Sequence, residues 1–171
     1  HLARESIETV FSGKELIVSE EIKKKYSKKL ACFVTLTIEG QLRGCIGSLV
    51  ARQKLWEEAI GNARSAAFRD TRFNPLSKEE FKKVKIEISI LSVPEKIIYK
   101  NSEDLKKKII DKGVIITKEY NSATYLPQVW EDLPQFEEFI SSLCRKAGLS
   151  ADFWKSGKLE VQTYTVDSAQ E

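Results

Sequence analysis

Residues 31–48 read ACFVTLTIEGQLRGCIGS, and the fold turns on how they are read. Residues 31–38 are nearly all β-branched or apolar, which predicts a strand with both faces covered. Glu39-Gly40-Gln41 has the chemistry of a tight turn, and Leu42 opens a second strand or a loop, with a hairpin the reading preferred. Gly40, Gly44 and Gly47 are three of only eight glycines in the chain. Glycines so spaced let a backbone take positive φ and turn its N–H groups toward a ligand.

The flanking sequence supplies helices. Leu2, Ala3, Ile7, Val10 and Phe11 recur at helical spacing, and Gly13 is placed to end that helix. Residues 14–30 form a lysine-rich connection in which Ser19 caps a short helix through Tyr26 and the lysine run 23–29 reads as a solvated face. Residues 52–69 are the best helix: Leu55, Ala59, Ala63, Ala66 and Ala67 line one face, with Trp56 and Ile60 beside them. Small residues on that face permit close approach to a sheet. Asp70 to Pro75 breaks the pattern, and Ser77-x-x-Glu80 is a capping box.

Val84, Ile86, Ile88 and Ile90 alternate with polar residues, as in a half-exposed strand that stops before Pro94. Asn101 or Ser102 caps a helix to about residue 111, with Gly113 at its end. Val114–Thr117 and Ala123–Leu126 read as strands joined by a turn at Asn121-Ser122. Phe136, Phe139, Ile140, Leu143, Cys144 and Ala147 fit one helix face closed by Gly148. Leu159, Val161, Thr163 and Thr165 mark a last strand. Helices and strands intermix with hairpins, so the predicted class is α+β, with a mixed, mostly antiparallel sheet flanked by helices.

Composition excludes several functions. The 171 residues suffice for one domain with a real core, without a disulfide or metal staple. No apolar run spans a membrane, and no signal-peptide pattern opens the chain. The sequence starts at His1 and contains no methionine. That reads as a trimmed or tagged start, or as methionine positions absent from the sequence, so long spacings carry little weight. His1 is the one histidine, which removes Ser-His-Asp, Cys-His and histidine-zinc mechanisms. Cys32, Cys45 and Cys144 are scattered, with no metal-ligand spacing, and three separated thiols suit a reducing cytosol. The net charge of +3 is too small to argue for nucleic acid by itself. Five of the seven arginines, however, fall between residues 43 and 72, and arginine suits bidentate recognition of carboxylate or phosphate.

Four segments carry candidate chemistry. In Leu42–Leu49, Arg43 is a fixed cation, Gly44, Gly47 and Ser48 border the loop, and Cys45 is the candidate nucleophile; the bland alternative is a sheet turn with a packed cysteine. Ala66–Leu76 places Asp70, Arg72 and Phe73 at a helix end, where Asp70 either orients Arg72 or acts as a base. Thr124–Trp130 presents Gln128 after Pro127. In Leu143–Leu149, Cys144 shares the apolar helix face, so packing outweighs reactivity.

Taken together, LRGCIGS (42–48), AAFRDTRF (66–73), LPQV (126–129) and CRKAGL (144–149) resemble one family, the AMMECR domain, or AmmeMemoRadiSam system protein A. The similarity runs in order from about Leu2 to Val166, and the heptapeptide is its most specific part. LPQVWE (126–131) points to the prokaryotic branch. Asn74-Pro75 stands where the family pattern has two prolines, and short segments near 111–113 and 134–136 suggest absent residues. The resemblance implies an α+β fold built on a central, mostly antiparallel sheet. It implies one domain over residues 1–171, with a smaller subdomain placed here within about 94–130. It also implies association with a Memo-like protein and a radical S-adenosylmethionine enzyme, and a link to RNA modification or other nucleic-acid processes. No reaction or cofactor follows from it.

Three readings stand. The first is a cytoplasmic binding or accessory module in which Arg43, Gly44, Gly47, Ser48, Asp70, Arg72, Phe73 and Gln128 recognise an anionic ligand, a nucleic acid or a partner protein. The second is a cysteine-dependent enzyme using Cys45. In the third, the motif only shapes a sheet turn.

Overall fold

The computed structural model describes all 171 residues, His1–Glu171. In chain order the elements are α1 (Leu2–Ser12), α2 (Glu20–Lys25), β1 (Cys32–Ile38), β2 (Gln41–Gly47), α3 (Leu55–Phe68), α4 (Lys78–Phe81) and β3 (Lys85–Leu91). These are followed by β4 (Glu95–Ile97), α5 (Ser102–Ile109), β5 (Gly113–Lys118), β6 (Asn121–Tyr125), α6 (Val129–Asp132), α7 (Phe136–Lys146), a 3-10 turn (Phe153–Ser156), β7 (Glu160–Tyr164) and β8 (Val166–Gln170). The chain divides into two compact units. One is His1–Leu91 with Asp167–Glu171, and the other is Ser92–Val166. The fold is α+β, with two four-stranded sheets in place of the single central sheet expected.

The first unit has strand order β2-β1-β3-β8, with β1 antiparallel to both β2 and β3. Val34, Leu36 and Ile86 of the sheet pack with Ala3 and Ile7 of α1 and with Ala63, Ala66 and Ala67 of α3. The alanines serve the close approach anticipated from the sequence. A Cβ at Gly44 would sit on the carbonyl oxygen of Ala66, so only glycine fits where β2 meets α3. A Cβ at Gly47 would strike the Phe33 ring. β1 differs from expectation: Cys32, Val34 and Leu36 are buried, whereas Phe33, Thr35 and Thr37 are half-buried, so one face only is fully covered.

The second unit has strand order β4-β7-β5-β6, all pairs antiparallel. Its core joins Val114, Ile116 and Val161 to Phe136, Phe139, Ile140 and Leu143 of α7. Trp130 stacks on Phe139 with ring centroids 3.7 Å apart and planes 3° from parallel. A buried ring of this kind contributes roughly 1.5–3 kcal/mol by area alone. Two local expectations are corrected. The β5–β6 turn falls at Glu119-Tyr120, with Glu119 at φ 55, so Asn121 and Ser122 belong to the strand. Gly113 opens β5 under the Tyr164 ring, and α5 ends at Ile109 without it.

Caps follow the sequence closely. The Ser19 hydroxyl accepts from the Ile22 N–H, Asn101 accepts from Asp104, and Ser77 and Glu80 form a reciprocal capping box. Gly61 lies exposed inside α3 with open space around it. The two glycines near α3 therefore respond oppositely to the same substitution. Gly61→Ala raises stability by about 0.5–1 kcal/mol through the unfolded chain. Gly44→Ala lowers it by about 3 kcal/mol through overpacking. Urea titrations of the two variants read the difference directly.

Candidate functional site

The site grows from an irregularity in the hairpin. Leu36 pairs with Gly44 and Thr37 with Leu42, which leaves Arg43 as the extra residue of a β-bulge. A bulge bends the strand and re-aims the inserted side chain. Arg43 reaches the capping box of α4: Nε donates to Glu80 Oε1 at 2.7 Å, and Nη2 donates to Glu80 Oε2 at 3.1 Å and to the Asn74 carbonyl at 2.9 Å. Glu80 Oε2 also accepts the Ser77 N–H at 2.8 Å. The Arg43 guanidinium, aided by the Ser77 N–H, holds the Glu80 carboxyl down at about 2. Arg43 Nη1 is buried with no hydrogen-bond partner.

β2 is an edge strand, and at Cys45 its outer edge is closed by side chains. Asp70 follows the C-terminus of α3, and its Oδ2 accepts the Cys45 N–H at 2.9 Å. Arg72 donates from Nε to Asp70 Oδ1 at 2.9 Å, and from Nη2 to Asp70 Oδ2 at 2.7 Å and to the Cys45 carbonyl at 3.2 Å. The Arg72 N–H also reaches Oδ1, at 3.2 Å. The pair thus takes up both backbone groups that a neighbouring strand would use. The Asp70 side chain is 4% exposed and that of Arg72 is 55% exposed. The Arg72 guanidinium, outweighing burial, holds Asp70 well below the usual carboxylate range. The clasp also raises Arg72. Of the two roles open to Asp70 in the sequence, orienting Arg72 is the one this geometry performs. A carboxylate held so low takes up no proton near neutrality.

Phe73 lies beside both cations, with each guanidinium carbon 5.6 Å from its ring centroid. Arg43, Asp70, Arg72, Phe73 and the Cys45 backbone are therefore one cluster. The other candidates have separate positions. Gly44 faces Ala66, and Gly47 lies under Phe33. The Ser48 hydroxyl is engaged with Val50 in a local turn. Gln128 is exposed before α6 in the second unit. The arginine-rich stretch does not form one group in space: Arg64 instead ties α3 to α1 through the Ser6 carbonyl and Thr9 Oγ1, both at 3.1 Å.

The cysteines differ in setting. Burial pushes the Cys32 thiol up to about 11 and also raises Cys144. Cys45 is half-buried, and its Sγ accepts the Thr35 hydroxyl at 3.3 Å. Sequence reasoning missed Thr35 and the tie from Glu80 to Arg43. The hairpin register places Thr35 opposite Cys45, a signal present in the sequence. Glu80 lies 37 residues from Arg43, and only its capping pattern was visible. No group of three or more His, Cys, Asp or Glu side chains is placed to hold a metal ion, and no helix is long and apolar enough to cross a membrane.

Both carboxylates are depressed on folding, so each adds stability above its ordinary value and loses it as pH falls. For Glu80 the window runs from 4.5 down to about 2. The Glu80 side chain is 37% exposed, so solvent screening leaves Asp70 the larger contributor. Acid titration of the wild type then shows stability falling across and below that window. Asp70→Asn is less stable at pH 7 and flatter on the acid side; a variant as steep as the wild type would exclude Asp70 as the source.

The sequence profile of the AMMECR1 family matches residues 1–169. A protein of Aquifex aeolicus (strain VF5) is 38% identical over 179 aligned residues, covering 100% of this chain and 90% of its own length. A protein of Nanoarchaeum equitans (strain Kin4-M) is 41% identical, covering 95% of this chain and 93% of its own length. The crystal structure of an uncharacterized protein from Pyrococcus horikoshii superposes with a TM-score of 0.82 at 33% identity, covering 99% of this chain and 88% of that one. A match of this extent, in sequence and in fold, makes the chain a member of the AMMECR1 family.

Proposed function

We propose that this chain is a binding module in which Arg43, Arg72 and Phe73 receive an anionic group, with the Gly44–Ser48 strand as their rigid support. One observation carries this reading. Two guanidinium groups lie beside one ring and each commits Nε and Nη2 to a carboxylate; the Arg43 side chain is largely buried behind that ring with its Nη1 unpaired, whereas Arg72 stays 55% exposed and is the cation an anion reaches. The carboxylates fix the orientation of both cations, and pre-organised donors lose little freedom on binding. They also cancel most of the local charge. Recognition is then short-range and directional, which suits a small carboxylate or phosphate, or the acidic tail of a partner. A nucleic acid draws on long-range attraction that a neutralised cluster supplies poorly. The family resemblance favours a Memo-like protein or a radical S-adenosylmethionine enzyme as that partner. Three unpaired thiols fit a reducing cytoplasm. Gln128 has no assigned part in this arrangement.

A second reading, a thiol enzyme, is favoured by one feature. Cys45, Thr35 and Glu87 occupy one cross-strand row over β2, β1 and β3, which places a carboxylate two strands from the half-buried thiol. Thr35, whose hydroxyl donates to Cys45 Sγ, stands between them, so in this reading a proton passing from the thiol to Glu87 is relayed through Thr35.

Ligand-observed NMR separates the readings, using inorganic phosphate, a dicarboxylate, a peptide ending in a free carboxylate and a single-stranded oligoribonucleotide as probes. The binding module predicts saturable binding of one of the first three probes. Arg72→Gln, checked for folding by circular dichroism, weakens it about tenfold and Cys45→Ser does not change it. Binding equal in Arg72→Gln and the wild type, or none of the first three probes bound, overturns the reading. Loss in Cys45→Ser alone transfers the weight to the thiol.

A further inference from the structure

The helical side of the first unit holds a cavity that shares no residue with the Arg43–Arg72 cluster. α1 and α3 cover the sheet, but Ile88 and Ile90 of β3 stay half-buried at the margin of that layer. There they line a cavity of about 460 Å³, walled also by Ile22, Tyr26, Leu55 and Trp56. A mostly apolar cleft of a few hundred Å³ is the usual size for a small organic ligand. The wall is not a finished core: Trp56 is half-buried, and its indole N–H is buried with no hydrogen-bond partner.

The mouth of the cavity is charged. Glu21 and Lys25 both line it. Lysines stand at 23, 24, 25, 28 and 29, and residues 22–29 include no acid. An antiparallel bridge between Lys29 and Lys54 brings a second basic segment, with Arg52 and Lys54, against the first. Of these seven cations only Lys23 has an ion-pair partner, Glu20 at 2.7 Å. Of these only Lys25 lines the cavity, beside Glu21 and His1; the other six stand on the two adjoining segments and add their attraction for an anion at longer range. We infer that the cavity binds a small amphipathic anion. An aromatic or branched hydrocarbon body lies between Trp56, Tyr26 and the β3 isoleucines, and a carboxylate, sulfonate or phosphate group stays at Lys25.

The test uses the whole chain and two fluorescent probes with the same ring system: anilinonaphthalene sulfonate, which is anionic, and phenylnaphthylamine, which is neutral. The native protein binds the sulfonate at one saturable site, at least about fivefold more tightly than the neutral probe. Lys25→Glu, an exposed change, abolishes that preference and leaves the neutral probe's affinity unchanged. Ala59→Leu projects into the cavity and weakens both probes; its near-ultraviolet circular dichroism confirms native packing. Absence of saturable binding overturns the proposal, as does binding indifferent to Ala59→Leu. Equal affinity for the two probes overturns its anionic part, and so does a preference that survives Lys25→Glu.

Discussion

Four N–H groups converge on the carboxylate of Asp70: those of the Cys45 and Arg72 backbones, and Nε and Nη2 of the Arg72 side chain. The rest of the site depends on this one buried charge. It ties the end of α3 to the outer edge of β2, and it sets the path of the chain from Asp70 to Leu76, whose N–H returns to the Ala67 carbonyl at 2.7 Å. That path carries Phe73 and the Asn74 carbonyl to Arg43. A buried carboxylate stripped of its cation is an uncompensated charge, so the two residues act as a unit. An edge strand closed by an ion pair is also protected from pairing with another chain at that position.

The second anchor has the same design with the exposures reversed: Arg43 is the more buried partner and Glu80 the more exposed one. Arg43 leaves the strand at the bulge and meets Glu80, a residue already engaged in capping α4. One carboxylate thus serves a helix end and an arginine at once. The two pairs use matching atoms, Nε and Nη2, and aim two guanidinium groups at one ring. Held this way, the cations are oriented more than they are attractive.

Much of this was legible in the sequence, for local reasons. The hairpin at 31–48, the alanine face of α3, the alternation in β3 and the caps at Ser19, Ser77 and Asn101 all rest on short-range rules that the structure obeys. What escaped depends on contacts between distant segments. Gly113 looked like a helix end and is a strand residue because the Tyr164 ring lies over it. Glu119 takes a positive φ that its side chain does not advertise. β8 is a polar stretch that becomes a strand on the first sheet. The cluster itself was partly visible: Arg43, Asp70, Arg72 and Phe73 were candidates by residue type. Their convergence, and the part played by Glu80, required the fold.

The Asp70–Arg72 clasp closes the β2 edge at Cys45. Amide hydrogen exchange of the wild-type protein tests it most directly, because Cys45 and Gly47 both turn their N–H groups outward and only Cys45 has a partner there. The account predicts that the Cys45 amide exchanges at least about a thousandfold more slowly than the Gly47 amide, near the rate set by global opening. Equal, rapid exchange at the two positions would contradict it.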